Sequence, residues 1–90
     1  MAKTDNIVHF PSAAQSKQIG RLLIPERLTE ARQAARLTQT ELANRIGVTR
    51  QSVSFYELGE KSPEATVLSK IAEELDQPIN YFTKQARATL

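Results

Sequence analysis

The chain has 90 residues, 40% of them hydrophobic, no cysteine and a formal net charge of +2. This length suits one domain with one modest core. No apolar run approaches the roughly 20 residues that cross a bilayer. The lack of cysteine excludes disulfides and thiolate zinc sites and agrees with a reducing cytoplasm. We therefore expect a cytoplasmic protein with neither a signal peptide nor a membrane anchor.

The excess of positive over negative charge lies in the first 24 residues. There Lys3, Lys17 and Arg21 outnumber Asp5, whereas the rest of the chain holds nine basic and nine acidic side chains. Nucleic-acid-binding domains usually have a basic balance, so charge alone does not indicate DNA. Residues 1–24 also lack helical periodicity, and we predict a flexible arm there.

Signals typical of helices begin at Pro25, which suits a first helical turn. A first helix is predicted over residues 25–35, because Leu28, Ala31 and Ala35 recur on one helix face.

The second and third helices are separated by a very short link. Thr38 and Glu41 have the spacing of a capping box, which predicts the start of the second helix. Gly47 predicts its end, because glycine readily adopts the left-handed conformation found there. Thr49 can then cap a third helix, which Gly59 closes in the same way.

A fourth helix is predicted from Ser62 as the cap, Pro63 at the first helical position and Glu64 on the helix dipole. Its apolar face is made of Val67, Leu68, Ile71, Ala72 and Leu75. Pro78 ends this helix or starts a short fifth one over residues 79–82. The chain is thus predicted to be all-α, a compact bundle of about five short helices.

The tight link at residues 47–49 predicts a steep crossing of the second and third helices, as in a helix-turn-helix. Ala43 is small enough for the closest approach of the two helices. The inner faces are predicted to be Leu42, Ile46, Val48 and Val53. The outward face of the third helix is then Arg50, Gln51, Ser54 and Phe55.

Three motifs here resemble the Xre/Cro-type repressors of phages and bacteria. They are Leu37-Thr38-Gln39-Thr40-Glu41-Leu42-Ala43, Ile46-Gly47-Val48-Thr49 and Val53-Ser54-Phe55-Tyr56-Glu57-Leu58-Gly59, with Ser62-Pro63 after them. The resemblance implies a lambda-repressor-like DNA-binding domain at residues 25–83, with an arm at 1–24 and a tail at 84–90. It also implies that the helix over residues 49–58 enters the major groove of double-stranded DNA.

The same resemblance implies roles for individual side chains. Base contacts are implied for Thr49, Arg50, Gln51, Ser54 and Phe55, arginine favouring guanine and glutamine favouring adenine. Phosphate contacts are implied for Arg36, Gln39, Asn44, Ser52 and Lys61. Phe55 departs from the polar or basic residue common in the family, which suggests contact with a thymine methyl group or a lost hydrogen bond.

Two further features concern the first helix. An ion pair between Arg32 and Glu57 is implied by some members of the family, and it would fix the third helix on the first. Arg36 stands where many relatives have glycine or another small residue, so the end of the first helix is less defined.

The expected function is a sequence-specific transcriptional regulator, most often a repressor in this family, that binds a palindromic operator as a homodimer. One alternative is a protein-interaction or antitoxin-like module on the same fold, motivated by the neutral helical part and Phe55. Another is the DNA-binding head of a longer regulator, because residues 55–63 and 79–82 look like regulators with a downstream zinc-peptidase domain.

No cofactor, metal or small-molecule ligand is expected. His9 is the one histidine in a chain without cysteine, and neither an HExxH motif nor a glycine-rich phosphate loop is present. We therefore predict that the protein is not an enzyme.

Overall fold

The computed structural model describes residues 22–84, and within this range the backbone forms five helices. They are α1 (Pro25–Ala34), α2 (Gln39–Ile46), α3 (Arg50–Leu58), α4 (Ala65–Glu74) and α5 (Ile79–Phe82). The predicted all-α bundle of five short helices is confirmed. The predictions for the N-terminal arm, including His9, and for most of the C-terminal tail lie outside the described residues.

Every helix contributes to one hydrophobic core. The side chains with no exposed surface include Leu28 of α1, Leu42 of α2, Val53 of α3, Leu68 of α4 and Phe82 of α5. Full burial of a side chain of this size stabilises a protein by roughly 1.5–3 kcal/mol. Helix α3 packs against α1 and α2, and α5 packs against α1 and α4. The buried residues of α3, Val53 and Tyr56, face this core, so α3 is packed from one side only.

Helix α1 begins without a side-chain cap, with Pro25 at its first position. Its start is held instead by the far end of the described chain. The Ile24 amide donates to the Phe82 carbonyl at 2.7 Å, and the Lys84 amide donates to the Leu22 carbonyl at 2.7 Å. These tertiary hydrogen bonds fix the residues that precede α1, although they do not pair the free amides of its first turn as a capping side chain would.

The predicted end of α1 was wrong by one position. Ala35 was placed on the buried face, but it lies beyond the helix and is exposed. The helix cannot continue past this point because Arg36 has a left-handed backbone (φ +60°).

The predicted start of α4 was also wrong. Ser62 and Pro63 were taken as the cap and the first helical position, whereas Glu64 is the cap and the helix begins at Ala65. Pro63 is fully buried, so it anchors the preceding loop to the core and is not part of the first helical turn. The predicted apolar face of α4 is correct, with Leu68 and Ile71 wholly buried.

Candidate nucleic-acid interface

The turn between α2 and α3 is built as the sequence predicts. Gly47 has a left-handed backbone (φ +76°), and its amide and that of Val48 both donate to the Ala43 carbonyl, at 2.9 and 3.0 Å. Ala43 is only 2% exposed. A residue without a large side chain is thus buried where the chain reverses, and the two helices pack closely against each other.

Side chains cap both helices of this unit. The Glu41 amide donates to the Thr38 hydroxyl at 3.0 Å and the Thr38 amide donates to the Glu41 carboxylate at 2.8 Å, which confirms the predicted capping box. At α3, the Ser52 amide donates to the Thr49 hydroxyl at 3.0 Å. The starts of α2 and α3 are therefore fixed locally.

Helix α3 has one buried and one outward face. Val53 and Tyr56 are buried in the core. The outward residues are Arg50 and Gln51, which are exposed, and Ser54 and Phe55, which are half-buried. The four side chains lie within two turns of a helix whose other face is packed, so they form a surface that an external partner can contact.

A largely buried ion pair supports this surface from behind. Arg32 Nε of α1 lies 2.6 Å from Glu57 Oε2 of α3, and Arg32 Nη2 donates to Glu57 Oε1 at 3.1 Å. The two side chains are 12% and 7% exposed. Arg32 Nη1 also donates to the Leu37 carbonyl at 2.9 Å. The pair that the family resemblance implied is therefore formed, and it ties α3 to α1 with two-point geometry.

Gln39 extends this ion pair to the outward surface. Its Nε2 donates to Glu57 Oε1 at 2.9 Å, and its Oε1 accepts from Arg50 Nη1 at 3.2 Å. The family resemblance implied a phosphate contact for Gln39, and these contacts to Glu57 and Arg50 were not predicted. The available signal was that Gln39 and Arg50 are the first residues of helices joined by a tight turn. One N–H of the Gln39 amide stays free for another acceptor.

Thr49 and Ser52 are engaged with protein partners. The Thr49 hydroxyl donates to Ser52 Oγ at 3.1 Å, which leaves it one acceptor lone pair. Ser52 also lies near the Tyr56 hydroxyl, one helical turn further along. Burial raises the pKa of the Tyr56 hydroxyl, the charge of Glu64 raises this pKa further, and the nearby Ser52 side chain lowers it. Because Ser52 Oγ accepts the hydrogen bond from Thr49, the Ser52 O–H can still donate to a phosphate without breaking it.

Lys61 and Phe55 are brought together at the end of α3. The Glu60 and Lys61 amides donate to the Phe55 carbonyl at 2.9 and 3.3 Å, so the loop folds back over the helix end. The Lys61 ammonium lies 5.0 Å from the centre of the Phe55 ring, within the range of a cation–π interaction.

The remaining two implied phosphate ligands, Arg36 and Asn44, are exposed. Arg36 lies three residues before α2, and Asn44 lies in the second turn of α2. Within residues 22–84 every helix is too short to cross a membrane.

This arrangement defines a helix-turn-helix domain in which α3 has an outward face. A family model described as helix-turn-helix (HTH_3) matches residues 28–82, and the chain belongs to this family. The resemblance to Xre/Cro-type proteins is thereby confirmed.

Two curated relatives carry regulator names. The chain is 34% identical over 62 residues to YqaE of Bacillus subtilis, an uncharacterized HTH-type transcriptional regulator, in a match that covers 69% of this chain and 53% of the relative. It is 41% identical over 59 residues to an uncharacterized transcriptional regulator in the ATPase CF(0) region of Rhodospirillum rubrum, covering 66% and 55% of the two. The chain thus spans about half the length of the curated relatives it matches.

Solved structures share the fold. The restriction-modification controller protein C.AhdI of Aeromonas hydrophila is 28% identical, with a TM-score of 0.61, over 71% of this chain and 94% of its own. Hydroxypropylphosphonic acid epoxidase of S. wedmorenis is 27% identical, with a TM-score of 0.63, over 80% of this chain and 37% of its own. The fold therefore also occurs within an enzyme, and function has to be argued from the site.

Proposed function

We propose that this chain is a sequence-specific DNA-binding transcriptional regulator whose domain at residues 25–83 places the helix over residues 49–58 in the major groove. The observation that carries this proposal is the outward face of α3, where donors are exposed above a buried ion pair. Such a face, on a helix packed from one side only, has the width and polarity that base readout requires. The regulator names of the two relatives support the same assignment.

The base contacts follow from the donors and acceptors on this face. Arg50 can donate two hydrogen bonds to a guanine, and Gln51 can exchange two with an adenine. Ser54 lies one turn further along, and the Thr49 hydroxyl can accept one hydrogen bond from a base amino group. Arg50 is already aligned by Gln39, which reduces the conformational entropy lost on binding.

Phosphate contacts surround this face. The N-terminus of α2 offers unpaired amides and the free N–H of Gln39. Asn44, Lys61 and Arg36 are exposed near the same helices and can add further donors. Such contacts set position and affinity without discriminating between sequences.

One small domain reaches few base pairs, so we propose a homodimer on a palindromic operator in the cytoplasm. Half-sites about 34–36 Å apart would present adjacent turns of the groove to the two domains. A regulator bound in this way represses by occupying its operator. The proposed activity is binding alone, with no catalysis.

Selection of bound duplexes from a random DNA pool tests this proposal. We expect a palindromic consensus, for which Arg50→Ala and Gln51→Ala each lower affinity by about 1–3 kcal/mol while changing affinity for scrambled DNA little. Lys70→Ala removes a positive charge from the exposed side of α4 and serves as the control. Equal affinity for all sequences, unchanged by both substitutions, would contradict the proposal and favour the protein-interaction module.

A further inference from the structure

Among the outward residues of α3 described above, Phe55 is the one apolar side chain, and the exposed Leu58 follows it at the helix end. Phe55 is half-buried, and its neighbours on this face, Arg50, Gln51 and Ser54, are all hydrogen-bonding residues. An aromatic ring gains nothing from the polar edges of guanine or adenine. The one apolar group that bases present in the major groove is the 5-methyl group of thymine.

The position of the ring is controlled by the loop that follows α3. The Glu60 and Lys61 amides both bond to the carbonyl of Phe55 itself, which brings the Lys61 side chain back over the ring. The ammonium lies 5.0 Å from the ring centre. Lys61 thus covers one face of the ring, and the half-buried Phe55 still has exposed surface that a partner can contact.

An ammonium group has three N–H donors and attracts a ring through its charge, without using a particular N–H. Lys61 can therefore stay above Phe55 while it donates to a DNA phosphate. In that arrangement Lys61 contacts both a DNA phosphate and the Phe55 ring. The phosphate contact then helps to position the ring against the base.

We propose that Phe55, held in place by Lys61, detects the 5-methyl group of one thymine in each half-site. This inference rests on the proposed function. Phe55 is four residues beyond Gln51, a distance of about 6 Å along a helix with a rise of 1.5 Å per residue. With base pairs about 3.4 Å apart, the thymine lies within two base pairs of the base that Gln51 contacts.

The test uses the selected operator duplex with each thymine replaced in turn by uracil, which removes only the methyl group. We expect one symmetry-related position per half-site at which uracil weakens binding about fourfold, the effect of exposing one methyl-sized group. Phe55→Ala should weaken binding to the thymine duplex to the level of the uracil duplex and leave the uracil duplex unaffected. Thermal unfolding of each variant verifies that the fold is retained.

Lys61 is tested as a positioning residue by Lys61→Met and Lys61→Arg. Methionine lacks the charge, so the thymine-to-uracil affinity ratio should fall, whereas arginine also binds aromatic faces and should preserve it. Equal weakening of both duplexes by Lys61→Met would show a phosphate contact alone and overturn the role given to Lys61.

The outcomes for the two proposals are distinct. If binding is sequence-specific but no uracil substitution changes affinity, the methyl contact is wrong and the proposed function stands. If every sequence binds equally well, both are wrong.

Discussion

The helix-turn-helix pair and the helices that support it are delimited in different ways. Helices α2 and α3 begin at threonine caps and end at glycines, Gly47 and Gly59, with φ of +76° and +75°. Helices α1 and α4 begin without side-chain caps. They are followed by left-handed residues that are not glycine, Arg36 (φ +60°) and Asp76 (φ +56°).

Helices α1 to α4 are thus all followed by a residue with a left-handed backbone, but only after α2 and α3 is that residue a glycine, which favours this conformation. In the helix-turn-helix pair the local sequence and the final structure agree. In the supporting helices packing imposes the boundaries, through the chain-end hydrogen bonds at Ile24 and the buried Pro63. The position of the outward face of α3 therefore depends on two kinds of helix. The boundaries of α2 and α3 are set by local sequence, and those of α1 and α4 are set by tertiary contacts.

Disruption of the ion pair between Arg32 and Glu57, which attaches α3 to α1, should give the largest loss of stability. Glu57→Ala leaves the guanidinium of Arg32 buried without its partner, and removal of one member of a buried ion pair costs about 3 kcal/mol or more. Urea denaturation followed by circular dichroism measures this loss in the free energy of unfolding.

Arg45→Ala is the matched control for Glu57→Ala. Arg45 and Glu74 lie 3.8 Å apart with side chains 53% and 35% exposed, and such a pair contributes under about 1 kcal/mol. Similar losses for the two substitutions would mean that the buried pair does not join the regions.

The helix boundaries that were predicted wrongly belong to the supporting helices α1 and α4. Helices α2 and α3 could be predicted because Thr38, Glu41, Gly47 and Gly59 act within a few residues of themselves. The misplaced ends were at Ala35 of α1 and at the start of α4, where a long-range contact or a strained backbone replaces the local signal.

The candidate site divides in the same way. Which residues of α3 face outward followed from helical periodicity, since Val53 had to be buried. The tight turn indicates that Gln39 and Arg50 lie near each other, but the hydrogen bonds from Gln39 to Glu57 and Arg50 could not be predicted, because they depend on side-chain geometry between α2 and α3. The contact between Lys61 and Phe55 likewise depends on how the loop folds back.

Removal of a local cap should give the next largest effect. Thr38→Ala removes the capping-box hydroxyl, and loss of such a cap costs about 1 kcal/mol, which corresponds to a fall in Tm of about 4–8 °C for a domain of this size. Glu64→Ala at the uncapped start of α4 should cost only about 0.3 kcal/mol, the attraction of a carboxylate to the helix dipole. Equal shifts in the melting temperature would show that the two starts do not differ.

A smaller loss of stability is expected at the turn between α2 and α3. Gly47→Ala places a side chain at φ +76°, where a Cβ atom would meet nothing within 4 Å, so the cost arises from the backbone alone. The left-handed conformation costs an L-residue about 1–2 kcal/mol, and the reduced entropy of the unfolded chain offsets about 0.5–1 kcal/mol of this. We expect a net loss of about 0.5–1 kcal/mol, measured by urea denaturation. No loss would imply that the turn tolerates residues other than glycine.

The smallest effect is expected at the end of α1, where glycine replaces a left-handed residue instead of being replaced. Arg36→Gly relieves a left-handed arginine at φ +60°, and the same terms with opposite sign predict a gain of about 0.5 kcal/mol. Asp76→Gly is the control, because aspartate tolerates this conformation through local hydrogen bonds and should gain less.

Affinity for the selected duplex then separates stability from function at Arg36. If Arg36 contacts a phosphate, Arg36→Gly gives a more stable protein that binds all DNA sequences more weakly, with a shallower salt dependence. Unchanged binding, together with the gain in stability, would mean that the arginine has no role at the interface. A loss of stability would contradict the inference that packing imposes the turn on an unfavourable residue.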